Sequence, residues 1–78
     1  MAKVEPATAL KIQATHKELV LILHDGREVR IAWEKCSPLL ASATESQRLN
    51  AELSPEGYGI HWPDLDEDLS INGLLRHP

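Results

Sequence analysis

The sequence predicts a small α+β domain. A small antiparallel sheet, made of a three-stranded meander plus a C-terminal strand or hairpin, is packed by short helices. Three observations carry this expectation. Apolar residues recur with period two in separate stretches, as half-buried strands require. An Asp25-Gly26 pair lies between two such stretches, where a hairpin turn belongs. Two helix-start signals, Ser37-Pro38 and Thr44 to Gln47, follow the hairpin without a long apolar helix behind them.

The chain has 78 residues, which is one domain. A chain of that size buries only roughly 60% of its unfolded surface, so a deep catalytic cavity competes with the core for the same few residues. At 42% hydrophobic and 26% charged residues, the composition is that of a folded globular protein. The formal charge is −4, and the one dense charge cluster is acidic. Phosphate-backbone binding needs clustered Lys and Arg, and the eight basic residues are scattered, which argues against nucleic acid as a partner. The single cysteine, Cys36, excludes an internal disulfide and suits a reducing cytoplasm. No signal-peptide core is visible at the N-terminus. The longest aliphatic run, Leu19 to Leu23, is far shorter than the roughly 20 residues that span a bilayer.

In chain order, residues 1–8 read as a lead-in and residues 9–78 as the domain. From Ala9, one strand face carries Leu10, Ile12 and Ala14; the other carries Lys11, Gln13 and Thr15. Glu18 to His24 is apolar on both faces between its ends and reads as the central strand. Asp25-Gly26 fits a two-residue type I′ turn. It sends Arg27 to Trp33 back antiparallel, with Val29, Ile31 and Trp33 on one face. Pro38 suits a first helical position after a Ser37 cap, with Leu39 and Leu40 on the buried side. Thr44 and Gln47 form a capping box for a second short helix over 45–50. Ser54 to Gly57 is a turn. Around it, Ala51 to Ser54 reads as a short strand paired with Tyr58 to Trp62, whose core face carries Tyr58, Ile60 and Trp62.

The stretch Trp62-Pro63-Asp64-Leu65-Asp66-Glu67-Asp68 is the most distinctive in the chain. Asp64, Asp66 and Asp68 match the first positions of an EF-hand loop. The match then fails, because Leu69 stands where glycine is needed and Leu75 where the bidentate glutamate is needed. The acids suit a helix N-terminus instead. Asp64 would cap a final helix with Glu67 completing the box, and at least one acid would meet Arg27, Arg30 or Arg48. Ile71, Leu74 and Leu75 would press that helix onto the sheet. The candidate interaction or clasp residues are therefore Trp62, Asp64, Asp66, Glu67 and Asp68, together with His61 from the preceding strand. The four histidines show no metal-ligand spacing. Cys36 lies just before a helix start, yet reads as structural. No catalytic residue, metal or cofactor is predicted.

Several segments together resemble a known family. These are Trp33, Pro38-Leu39-Leu40, Ala43-Thr44-Glu45-Ser46-Gln47-Arg48, Gly59-Ile60-His61-Trp62-Pro63, Leu65-Asp66-Glu67-Asp68-Leu69-Ser70 and Gly73-Leu74-Leu75. The chain resembles the bacterial domain-of-unknown-function family 2442 over about residues 8–76. One departure is Glu45, where the family often has proline. The resemblance implies a compact α+β domain with no established catalytic set. It also implies genetic pairing with a second small domain, family 4160. The expected function is a non-enzymatic protein-interaction module, the antitoxin-like member of a small two-gene system, with the neighbouring gene's small protein as partner. One alternative is a small-ligand-binding protein or enzyme using His61 and the 64–68 acids. Another is an accessory nucleic-acid module. A homodimer through an exposed edge strand is a further expectation.

Overall fold

The computed structural model describes residues 7–76. Most of the lead-in expected over 1–8 lies outside the described residues, as does His77. The elements run β1 (Ala9–Ala14), β2 (Glu18–Leu23), β3 (Glu28–Ala32), α1 (Trp33–Cys36), α2 (Pro38–Ala41), α3 (Glu45–Leu49), β4 (Glu52–Leu53), β5 (Gly59–Trp62), β6 (Glu67–Ser70) and α4 (Ile71–Arg76). They form two antiparallel three-stranded sheets, β1-β2-β3 and β4-β5-β6. The fold is α+β as expected. The C-terminal hairpin gains a third strand and becomes a second meander.

In the first sheet β2 is central, pairing β1 on one side and β3 on the other. Leu19, Leu21 and Leu23 enter the core, and Val20 is buried between its cross-strand neighbours Gln13 and Arg30. The β1 face assignment needs correction. The register slips between Ala9 and Lys11, so a bulge turns Ala9 into the core and leaves Leu10 59% exposed. An extra residue in one strand of a pair reverses the alternation that sequence reading assumes. The β2–β3 turn also differs from the two-residue form. Gly26 N–H donates to Leu23 O (3.0 Å) and Leu23 N–H to Arg27 O (2.9 Å), with Gly26 at φ +93°. This is a three-residue loop over His24 to Gly26, a type I turn closed by one left-handed glycine. Asp25 then needs no positive φ, and its carboxylate accepts from Arg27 N–H (3.0 Å) and Arg27 Nε (2.8 Å).

Both helix-start signals operate. Ser37 Oγ accepts from Leu40 N–H (3.1 Å). Thr44 and Gln47 exchange both bonds of the capping box. Leu40 is fully buried, whereas Leu39 is 47% exposed, because a one-turn helix presents only one of two consecutive residues inward. The strand ends one residue before Trp33, which opens α1.

One apolar core joins both sheets with α1, α2 and α4: Leu19, Leu21, Ile31, Trp33, Leu40, Ile60, Trp62 and Ile71 belong to it. Its centre is Trp33 against Trp62, edge to face at 6.4 Å and 82°. Each indole N–H is satisfied, Trp33 by Thr15 O (2.9 Å) and Trp62 by Arg48 O (3.1 Å). The Arg48 guanidinium lies 5.6 Å from the Trp33 ring centroid and donates to Leu40 O and Ala41 O, both at 2.8 Å. A single arginine thereby ties α2 and α3 to the aromatic pair.

Candidate functional site

Strand alternation builds the site. Ile60 and Trp62 point into the core, so Gly59 and His61 face outward from the second sheet. The register places Glu52 of β4 opposite His61, and Asp68 of β6 opposite His61 on the other side. Three side chains therefore stand in one row across the outer face, an imidazole between two carboxylates. His61 Nδ1 lies 2.8 Å from Asp68 Oδ1, and that side-chain pair is well exposed.

One row further along, Gly59 pairs Ser70. The missing side chain at Gly59 leaves the sheet floor low at its middle. A Cβ there would sit 3.3 Å from Leu69 O. Beyond it, the turn Ser54–Gly57 rises as one wall. It is held by Gly57 N–H to Ser54 O (2.9 Å), with Ser54 Oγ accepting from the N–H groups of Tyr58 and Gly59, both at 3.1 Å. The result is an open groove of about 620 Å³. Its lining includes the carboxylates of Glu52, Glu56 and Asp68 and the ring of Tyr58, and contains no lysine or arginine.

The acid-rich stretch is built differently from the expectation. Pro63 to Asp66 is a hairpin turn, with Leu65 N–H donating to Trp62 O (3.1 Å). Asp66 sits at φ +51°, a region that Asp tolerates better than most residues. Glu67 and Asp68 are strand residues paired with Trp62 and His61. The helix cap is Ser70, whose Oγ accepts from Gly73 N–H (2.8 Å), and Asp64 with Glu67 has no such role. Local signals could not separate the two outcomes. Proline is favoured both at the first turn of a helix and at the second position of a type I turn. Pairing with β5 decided for the turn.

The predicted arginine contacts also need correction. Arg27 pairs Asp25, Arg30 pairs Glu18 and Glu28, and Arg48 serves the tryptophans. Asp64 instead accepts from Asn50 Nδ2 (3.2 Å). Of the six candidate residues, His61 and Asp68 come together in the groove. Asp64 and Asp66 sit in the hairpin turn beside it. Glu67 is half-buried, and Trp62 is fully buried in the core, a clasp and not a contact surface.

Tyr58, expected inside, is 49% exposed, since β5 begins only at Gly59. Glu52, Tyr58 and Gly59 are the groove residues that sequence reading missed. A short strand over 51–54 was legible, but its register against His61 was not. Cys36 is buried, its thiol pushed up to about 11 by that burial, with the Arg48 charge pulling it down and Glu34 adding to the rise. Such a thiol is a poor nucleophile.

The comparisons with known proteins agree in kind. Residues 7–77 match the family described as "Protein of unknown function (DUF2442)". The fold is similar to a crystal structure of a protein of unknown function from Rhodospirillum rubrum ATCC 11170, at 27% identity and TM-score 0.81. That match covers 92% of this chain and 88% of the other. It is also similar to the solution structure of an uncharacterised protein from Chromobacterium violaceum, at 31% identity and TM-score 0.72. Here 88% of this chain is covered, and the match spans 64% of the longer relative. No match is found among the curated proteins. Among the described residues, no helix is long and apolar enough to cross a membrane.

Proposed function

This chain belongs to the DUF2442 family, and from the geometry of its second sheet we propose that it is a non-enzymatic protein-interaction module for a small basic partner. The observation that carries the reading is the outer face of that sheet. It is an open groove with three carboxylates and no lysine or arginine in its lining. Acids on a surface of this kind steer a basic partner and set its register. The acids of the neighbouring hairpin, Asp64 and Asp66, extend the same negative field. The partner in this reading is the small protein of an adjacent gene, and the role is antitoxin-like neutralisation in a reducing cytoplasm.

The test is co-purification with the product of the adjacent gene. A complex is expected at micromolar concentration, weakened about tenfold or more by Asp66→Lys combined with Asp68→Lys. Absence of a complex, or an affinity unmoved by the double reversal, refutes the reading.

A second reading has one observation in its favour. The contact between His61 Nδ1 and Asp68 lies inside a concave surface, and a carboxylate partner is what orients an imidazole toward a small ligand. Titration with small-molecule libraries, followed through the His61 ring resonances, separates this from the protein-binding reading. Nucleic acid is disfavoured at the groove, since its acids repel phosphate.

A further inference from the structure

Resting on the interaction reading above, we infer that the groove of the second sheet seats an extended, arginine- or lysine-bearing segment of the partner. Its cationic head lies between Glu52 and Asp68, and its stem lies over Gly59 toward Tyr58. Four features converge on this occupant. First, the register places Glu52, His61 and Asp68 in one cross-strand row. Each carboxylate is directly opposed to His61 at about 5 Å and lies about 10 Å from the other, so a cation seated over the imidazole has Glu52 on one side and Asp68, itself bonded to His61, on the other.

Second, Glu52 and Glu56 form no ion pair among the described residues, while Arg27, Arg30 and Arg48 are committed elsewhere. No lysine or arginine of the groove lining offsets these charges. Third, Gly59 removes the one side chain that would block the path between the polar row and the Ser54–Gly57 wall. An aliphatic stem can then lie close to the backbone, as such stems do along apolar surface. Fourth, Tyr58 stands 49% exposed beside the groove. A half-exposed aromatic face offers a cation or apolar neighbour what a buried ring cannot.

The shape selects a segment over a globular surface. The groove is open along its length, and a chain rising about 3.3 Å per residue covers the distance from the His61 row to the Tyr58 wall in three or so residues.

The test uses the full chain and a fluorescent octapeptide alternating arginine and valine, with the same peptide carrying glutamate for arginine as control. Saturable binding of the arginine peptide is expected, with amide shifts centred on Glu52, Gly59, His61 and Asp68. Glu52→Lys should weaken it about tenfold or more. Gly59→Val should weaken it to a similar degree at unchanged charge. If Gly59→Val disturbs the fold, Gly59→Ala with circular dichroism as a check replaces it. Binding that ignores the Gly59 substitutions, or shifts spread over both sheets, shows diffuse charge attraction and overturns the inference. So does equal binding of the glutamate peptide.

The two proposals fail separately. A partner complex that survives Glu52→Lys and Gly59→Val keeps the interaction module and moves its site. Peptide binding in the groove without any partner complex keeps the site and removes the two-gene reading.

Discussion

Gly57→Ala should destabilise the protein far more than Gly26→Ala, although both glycines sit at positive φ, +82° and +93°. The backbone term is common to both. An L side chain in that region costs about 1 kcal/mol after the unfolded-chain entropy is counted. At Gly26 nothing lies within 4 Å of the added Cβ, so the backbone term is the whole effect. At Gly57 the Cβ runs into Ala9 O and comes within 3.2 Å of Ala9 N. Relief of that clash separates the Ser54–Gly57 turn from β1. The Ala9 N–H bond to Gly57 O (2.8 Å) is then lost, worth about 1 kcal/mol. The methyl of Ala9, only 2% exposed, leaves the core at a cost of about another 0.8 kcal/mol.

Gly57→Ala therefore totals about 3 kcal/mol against about 1 for Gly26→Ala. Urea unfolding reads the difference. With a slope of about 1 kcal/mol per molar, the midpoints should fall by about 3 M and about 1 M. Two variants within about 0.5 kcal/mol of each other would refute the argument. Equality would mean that the second sheet's turn does not rest on the first strand.

Two further outcomes follow from the core. Arg48→Met should cost about 2 kcal/mol in the same urea assay, through the lost bonds to Leu40 O and Ala41 O and the lost contact with Trp33. Arg48→Lys should recover less than half, because an ammonium cannot present the planar fork. Cys36 should resist thiol reagents in the native state and react only on unfolding, as its burial requires. Its thiol is raised from an ordinary 9.0 to about 11. The unfolded chain therefore releases that proton first. Stability is whole below pH 9 and declines as pH climbs toward 11, by about 1–2 kcal/mol, a decline that Cys36→Ser should flatten.

Much of this protein was legible locally. The capping box at Thr44 and Gln47, the Ser37 cap, the β2–β3 hairpin and the central place of β2 all follow from residues within a few positions of each other. So does the outward face of His61, since Ile60 and Trp62 demand the core. The errors share one cause. Alternation puts Leu10 on the apolar face only if the register is unbroken, and a bulge is visible only in the pairing. Alternation puts Tyr58 inside only if it belongs to the strand, and pairing with β6 begins at Gly59.

The acid-rich stretch shows the boundary most clearly. From the residues alone, Trp62 is a core anchor and Ile71 and Leu74 bury a final helix, while Pro63 reads as the start of that helix. Long-range pairing makes residues 63–66 a turn and Glu67 to Ser70 a strand, and leaves Ser70 to cap the helix. Helix start and type I turn share their first backbone angles. The backbone groups of residues 67–70 must be paired somewhere, and β5 offers a ladder in place. That pairing brings Asp68 beside His61, opposite the side that Glu52 occupies, and the groove exists because of it.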